Sequence, residues 1–426
     1  MPLVEALERY ASVVNDSIIE QAIRSGFGLQ EYTRDGESFW VENGVEYHRF
    51  PYKEPQENRY YNSEYEAYIP FNETTFFEGA SADPEYSKGG RKIILWWQQK
   101  VAQLDFPGLA LLRACPDFPC VVTSDRKYTN ASSVMLVDVQ FVQHEMPPPR
   151  HAHQIFVHYQ MEAPSHNKFW WYHDLFQTSP AWNSAFNWTM SYRRDSDIPT
   201  HYGLIRKRLK PSEKNYTDIL SAKTGQVAWL VSNCKSNSKR EDYVRVLGSH
   251  VNVDVYGECG SFHCTREQDQ LCFQKIRKKY KFYLAFESNL CPDYVTEKLF
   301  RFFDADFIII ARGEDCYSRI LPPETFLNTA RFNSPEELAE TILYLDSHDD
   351  AYLAMLKEKD KYFSIYEDYP LPAVHPTYLE YRYEAVPMCR LCQMVWNLKK
   401  YSKTIPDMKA WFRRGDFRCH PPADVT

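Results

Sequence analysis

The feature that most constrains this chain is a series of short, continuous apolar runs set between polar stretches. Lys92-Ile93-Ile94-Leu95-Trp96-Trp97, Cys120-Val121-Val122-Thr123, Val134-Met135-Leu136-Val137-Asp138-Val139 and Gln154-Ile155-Phe156-Val157-His158 come first, and Phe186-Asn187-Trp188-Thr189-Met190 is a further candidate. A strand with one wet face alternates apolar and polar residues. A run that is apolar throughout is buried on both faces, as in a parallel sheet covered by helices. A second series repeats the pattern with Val227-Ala228-Trp229-Leu230-Val231-Ser232, residues 251–256, Phe282-Tyr283-Leu284-Ala285-Phe286 and Asp306-Phe307-Ile308-Ile309-Ile310-Ala311. Helical text lies between and after them, at residues 240–247, 296–303 and 351–361, and from Ser334 to Leu345 with Ser334 as N-cap and Pro335 at the first helical position. Alternating strands and helices predict an α/β class with two doubly wound units, at residues 91–222 and 223–385.

The flanks read differently. Residues 1–90 hold a short amphipathic stretch and then acidic, Tyr-rich text of poor periodicity, as in a stem-like or accessory segment. Residues 202–214 are basic and polar, as in a linker, and residues 386–426 form a tail. No window approaches the ~20 apolar residues that span a bilayer. The first residues have neither a basic nor an apolar signal region, so the chain as written reads as soluble.

Charge narrows the function classes. The chain of 426 residues carries 50 Lys plus Arg against 57 Asp plus Glu, which disfavours a non-specific nucleic-acid binder. Only 15 Gly against 30 Tyr, 26 Phe and 10 Trp exclude collagen-like and long disordered readings. There is no G-x-G-x-x-G, Walker A, H-E-x-x-H or G-x-S-x-G motif, which disfavours a hydride-transferring dehydrogenase and a P-loop ATPase. His151 and His153, with His158 and His166 nearby, have no positioned carboxylate, so a structural role outweighs metal ligation. Eleven cysteines include two tight pairs, Cys115/Cys120 and Cys389/Cys392, for which oxidation fits better than a zinc site lacking four clustered ligands. Asn-x-Ser/Thr sequons at Asn15, Asn72, Asn130, Asn187 and Asn215 also lean toward the secretory route.

The densest chemistry is Phe286-Glu287-Ser288-Asn289-Leu290-Cys291-Pro292-Asp293-Tyr294-Val295-Thr296-Glu297-Lys298, joining a buried strand to a helix. Open α/β sheets bind ligands at such strand ends, and helix-start amides with Lys298 favour a phosphate. Glu297 can accept ribose hydroxyl protons, and Tyr294 can cover a base. The plainer reading is a helix capped by Thr296 with a surface Glu-Lys pair.

This run, from Lys281 through Leu299, closely resembles the donor-binding motif of the metazoan α1,3-fucosyltransferase family. A second block, Phe186-Asn187-Trp188-Thr189-Met190-Ser191-Tyr192-Arg193-Arg194-Asp195-Ser196-Asp197-Ile198, is similar to that family's other signature. The resemblance spans about residues 91–400. It implies two facing Rossmann-like domains (the GT-B arrangement) and GDP-fucose as donor. It also implies inversion at the fucose anomeric carbon with no essential metal, Mn²⁺ being at most stimulatory. By motif position it implies Glu162 as general base. Arg240, Tyr294, Glu297, Lys298, Glu287, Asn289, Ser232, Asn233, Tyr192 and Arg193 become the donor-binding residues.

The match departs at Glu287-Ser288-Asn289, where the family reads Glu-Asn-Ser, and in residues 299–306 after Lys298. The resemblance also implies that Cys115 and Cys120 bond to Cys389 and Cys392, tying residues 386–426 back to the first domain. It implies a Golgi lumenal setting, with membrane contact only through an anchor not visible in these residues. The expected activity is transfer of fucose to a GlcNAc hydroxyl of a glycoprotein or glycolipid glycan. The rivals are a core α1,3-fucosyltransferase of N-glycans and a catalytically silent glycan-binding fold-mate.

Overall fold

The computed structural model describes the strands between residues 30 and 48, then residues 92–97 and 418–425. Apart from short gaps it also describes 118–164, 180–207, 213–366 and 377–412. Strands β1 (Gln30–Arg34), β2 (Glu37–Glu42) and β3 (Val45–His48) form an antiparallel sheet inside the stem-like stretch. Its pairings Arg34↔Glu37 and Glu42↔Val45 leave two residues at each connection, Asp35-Gly36 and Asn43-Gly44. Those dipeptides are strong hairpin signals that the absence of longer periodicity hides.

The first large sheet contains β4 (Lys92–Trp96), β5 (Cys120–Thr123), β6 (Val134–Asp138), β7 (Ile155–Gln160), β8 (Trp188–Ser191) and β9 (Ile198–Pro199). All are parallel, in the order β5-β4-β6-β7-β8-β9. Strand β10 (Gly203–Lys207) follows, then helix α1 (Tyr216–Ser221). The second large sheet contains β11 (Gly225–Leu230), β12 (Val253–Tyr256), β13 (Tyr280–Phe286), β14 (Ile308–Arg312) and β15 (Phe326–Asn328). It is also parallel, in the order β12-β11-β13-β14-β15. Its helices are α2 (Arg240–Leu247), α3 (Asp269–Lys279), α4 (Glu297–Phe300), α5 (Pro335–Ser347) and α6 (Asp349–Lys359). Strand β16 (Tyr362–Tyr366) and helices α7 (Thr377–Trp396), α8 (Leu398–Tyr401) and α9 (Met408–Phe412) complete the order.

The continuous apolar runs behave as expected for strands buried on both faces. In β13 and β14, Tyr283, Ala285, Ile309 and Ala311 pack to one side with Ile276 of α3. Phe282, Leu284, Ile308 and Ile310 pack to the other with Tyr243, Leu338, Ile342 and Tyr352 of α2, α5 and α6. Burial of each such aliphatic side chain contributes about 1.5–3 kcal/mol, and truncating one like Ile310 to Ala costs about 2–5 kcal/mol. After β12 the chain turns at Gly257, whose φ of +93° would place a Cβ 2.5 Å from the Val231 carbonyl oxygen. Only glycine fits that turn.

Two expectations change. The supposed linker after residue 201 is strand β10, paired antiparallel with β16, so a clamp rather than a loose tether joins the two units. The tail begins earlier and does more. Helix α7 packs Met388, Leu391, Val395 and Trp396 against Ile94, Leu136 and Val157. On the other face, α9 packs Met408 and Phe412 against Leu95, Met135 and Val137. Residues after the second sheet therefore cover both faces of the first. Cys120 bonds to Cys392, as the resemblance implied. Cys389 is also disulfide-bonded, while Cys115 lies outside the described residues.

Candidate functional site between the sheets

In both sheets the strand order reverses beside the first strand, and the crevice at the carboxyl ends of the strands flanking that reversal is the natural ligand site. In the second sheet those strands are β11 and β13. The loop leaving β13 is built around Glu287, whose side chain is fully buried. Its carboxylate accepts from the Thr296 amide at 2.8 Å and the Thr296 hydroxyl at 2.9 Å, and lies 3.1 Å from Lys298 Nζ. Burial pushes the Glu287 carboxyl up, against the pull of Lys298. Burial alone would lower Lys298, yet Glu287 and Glu297 hold it raised. The Glu297 carboxyl, 3.0 Å from Lys298, is held low by that ammonium although burial works the other way. Asp293 turns the loop with φ of 63°.

The helix start is short and its cap side chain turns inward. Thr296 occupies the cap position, but its hydroxyl serves Glu287 and makes no cap bond. Helix α4 has four residues, and the Thr296 amide is already bonded. The cationic group of this loop is therefore Lys298 itself, which keeps 24% of its side chain exposed.

The loop leaving β11 is fastened to the same cradle. Ser238 donates to the Glu287 carbonyl at 2.6 Å, Asn237 donates to Asn289 at 2.9 Å, and Cys234 bonds to Cys259 after β12. Ser232 is exposed and Asn233 half-buried at the start of this loop. Arg240 is buried, donating to the carbonyls of Phe286 at 2.6 Å and Asn233 at 3.2 Å. Its guanidinium thus ties the ends of β11 and β13 together and places a positive charge under the crevice.

The first sheet meets this cradle through the loop after β7. Glu162, half-buried there, accepts a 2.8 Å hydrogen bond from the Tyr294 hydroxyl. Burial, and then Glu162, push the Tyr294 phenol well above its ordinary range, so it stays a donor. Tyr192 and Tyr202 lie edge-on to the Tyr294 ring at 5.1 and 6.4 Å, and Tyr202 donates to the Met161 carbonyl. The structure therefore gathers Glu162, Tyr192, Tyr294, Glu297 and Lys298 at one junction.

Other sequence candidates lie elsewhere. Arg193 turns inward: it pairs with Asp195 at 2.7 Å and donates to the Trp411 and Phe412 carbonyls. Its neighbour Arg194 faces the donor-side loop, its amide bonding Asp293 at 3.1 Å and its side chain 3.7 Å from that carboxylate. Successive residues leaving a strand point to opposite sides, which the motif alone does not resolve. Asn187 is 4% exposed, accepts from the Phe156 amide and Arg150, and donates to the Lys403 carbonyl, so a folded chain offers no room for a glycan there. Asn130 and Asn215 are exposed; Asn15 and Asn72 lie outside the described residues.

Among the described residues no group of three or more His, Cys, Asp or Glu is arranged to hold a metal ion. His158 is buried against Phe186 and Phe412, which lowers its pKa to about 3, whereas His151 and His153 stack on the surface and His166 is outside the described residues. Asp197 serves Thr189 and Lys403, and Asp306 serves Lys214. The altered text after Lys298 is ordered by Lys359, which caps the Phe303 and Ala305 carbonyls.

Sequence reasoning also missed Asp138. It ends β6, beside the reversal in the first sheet, and is 4% exposed. Burial pushes its carboxyl up to about 7, against its bond from the Gln140 amide, and Glu162 adds to the rise. An apolar run ending in Asp at a strand's carboxyl end was the available signal.

Both halves of the chain match known protein families. Residues 89–203 match the family model described as fucosyltransferase, N-terminal, and residues 220–411 match glycosyltransferase family 10 (fucosyltransferase) C-term. The chain is similar to glycoprotein 3-alpha-L-fucosyltransferase A of Drosophila melanogaster, 34% identical over 58% of this chain and 48% of the relative, so it spans about half that relative's length. It is 34% identical to a 3-galactosyl-N-acetylglucosaminide 4-alpha-L-fucosyltransferase of Bos taurus, over 69% of this chain and 74% of the relative. A crystal structure of an alpha1,3-fucosyltransferase with GDP is similar at 17% identity and a TM-score of 0.46, covering 74% of this chain and 94% of that one.

Proposed function

The chain belongs to the glycosyltransferase family 10 fucosyltransferases, and from that premise we propose that it transfers fucose from GDP-fucose to a GlcNAc hydroxyl of a glycan, with inversion. The observation that carries the reading is the Tyr294–Glu162 hydrogen bond, which joins a carboxylate of the first sheet to the ligand loop of the second.

Each role follows from chemistry. Glu162 takes the proton of the acceptor hydroxyl as its oxygen attacks the anomeric carbon, on the face opposite the leaving diphosphate. A carboxylate has about four lone-pair sites, so Tyr294 can fix its orientation and still leave basic capacity. Lys298 answers the charge that grows on the departing GDP, and Arg240 adds its field from beneath. Glu297, with its charge secured by Lys298, accepts from ribose hydroxyls. Because these cations supply the countercharge, the transfer requires no metal, and EDTA leaves most activity intact. Mn²⁺-reversible loss of activity on chelation would remove that part of the proposal.

The setting proposed is the Golgi lumen, in keeping with the bonds Cys234–Cys259, Cys264–Cys272 and Cys291–Cys419 and with the disulfide-bonded Cys389, besides Cys120–Cys392. Among the described residues no helix is long and apolar enough to cross a membrane. The relatives' names include both 3- and 4-linked transfer, so the bond formed is the point to measure. An array of glycan acceptors incubated with GDP-fucose and read by mass spectrometry tests the reading. Fucose on O3 of GlcNAc supports it. Donor hydrolysis without transfer would mark a working donor site whose acceptor the array lacks, whereas no turnover at all would mark a glycan-binding fold-mate.

A further inference from the structure

The donor-side loop is held from outside by a segment that the catalytic reading does not use. Cys291, within that loop, is disulfide-bonded to Cys419 across a sequence separation of 128 residues. Next to that bond, the His420 amide donates to the Leu290 carbonyl at 2.7 Å. Farther along, Asp424 grips Arg312 with two hydrogen bonds of 2.7 and 2.8 Å, and Val425 is buried against the core of the second sheet.

Arg312 is what makes this grip relevant to the site. It ends β14, is 2% exposed, and packs its guanidinium over the Tyr243 ring. Its carbonyl accepts from the Glu287 amide at 2.8 Å, and its guanidinium donates to the Ser238 carbonyl at 3.0 Å. Ser238 in turn donates to the Glu287 carbonyl. One arginine therefore touches both loops of the cradle, and among the described residues Asp424 is its ion-pair partner. A buried guanidinium that loses its carboxylate must find water or another acceptor, and the loops it touches move with it.

We propose that residues 418–425 form a clamp that sets donor affinity by holding residues 287–298 in their binding arrangement, with Cys419 and Asp424 as positioning residues. The proposal rests on the donor-site reading given above. The clamp contributes no atom to the reaction. It raises the fraction of molecules whose loop is already in place, and the apparent affinity scales with that fraction.

The test compares the full chain with a Cys291→Ser/Cys419→Ser variant and with Asp424→Asn and Asp424→Glu. Hydrogen exchange reads the loop without ligand, calorimetry reads GDP affinity, and steady-state kinetics separates KM from kcat. The serine variant is expected to exchange faster across residues 288–296 and to bind GDP about tenfold more weakly. The KM for GDP-fucose rises, while kcat and the acceptor KM stay within about twofold. Asp424→Asn gives the same pattern to a smaller degree, and Asp424→Glu restores wild-type behaviour. Wild-type exchange and wild-type GDP affinity in folded variants would overturn the clamp. Should the serine variant fail to fold, the Asp424 pair decides by the same readouts. If the wild-type chain itself binds no GDP, the donor reading falls, and loop exchange alone decides whether the clamp exists.

Discussion

The two parallel sheets share the same strand order through their first five strands but are fastened at opposite edges. In the first, the Cys120–Cys392 bond lies at the amino end of β5, away from the crevice, and α7 and α9 seal its two faces. In the second, Cys234–Cys259 and Cys291–Cys419 tie the loops at the carboxyl ends, where the ligand belongs. Their charges differ in the same way. The second sheet sets Glu287 and Glu297 against Lys298 and Arg240, whereas the first brings the buried Asp138 into the field of Glu162. A preorganised, charge-balanced edge suits a nucleotide diphosphate.

That division can be broken from either side. The largest effect is expected from Glu162→Gln, which keeps shape but removes the basic oxygen. Transfer should fall by about 10²–10⁴-fold while GDP affinity, measured by calorimetry, stays unchanged. Retention of more than about a tenth of the wild-type rate would move the base elsewhere, and loss of GDP binding would place Glu162 on the wrong side of the division.

Asp138→Asn sharpens the contrast in stability. The carboxyl goes from an ordinary value near 3.8 to about 7 on folding, so the folded state binds its proton more tightly. Stability is therefore lost as pH rises from about 4 toward 7, where the unfolded chain has released a proton that the folded chain retains. Above about pH 7 the variant should be more stable than the wild type, by up to about 4 kcal/mol, with the difference vanishing below about pH 4. Chemical denaturation at several pH values measures this. A gap that does not depend on pH would contradict the burial of a titrating carboxyl.

Lys298→Ala acts on the other edge. Losing a charge-assisted bond to the diphosphate should weaken GDP by about 1.5–3 kcal/mol, read by calorimetry. Glu287 is then left buried without its cation, so some loss of thermal stability accompanies it. Unchanged GDP affinity would remove Lys298 from the phosphate site.

Much of this architecture was readable because burial on both faces writes itself into sequence as unbroken apolar runs. β13 and β14 are the clearest cases, and Ser334-Pro335 marked the start of α5 through local capping chemistry alone. What stayed hidden depends on distant partners. Gly203–Lys207 becomes a strand only because Tyr362–Tyr366 pairs with it, and nothing local announces that partner. The bonds Cys234–Cys259, Cys264–Cys272 and Cys291–Cys419 likewise need the fold to bring their ends together. In the candidate site, the motif named Tyr294, Glu297 and Lys298 but could not say that Thr296 faces Glu287, or that Arg193 turns into the first sheet and Arg194 toward the donor-side loop. Side-chain direction at a turn is fixed by packing, which a linear motif does not encode.

The central claim is that a base carried by the first sheet activates the acceptor hydroxyl against a donor held by the second, the two sides being joined through Tyr294 and Glu162. A double-mutant cycle on the transfer rate, using Tyr294→Phe and Glu162→Gln, tests it most directly. Tyr294→Phe removes the 2.8 Å bond and leaves the ring. The account predicts that it slows the wild-type enzyme by about tenfold and has no further effect once Glu162 is Gln, a coupling of about 1.4 kcal/mol. Equal slowing in both backgrounds would show that the two residues act independently, and the claim would fail.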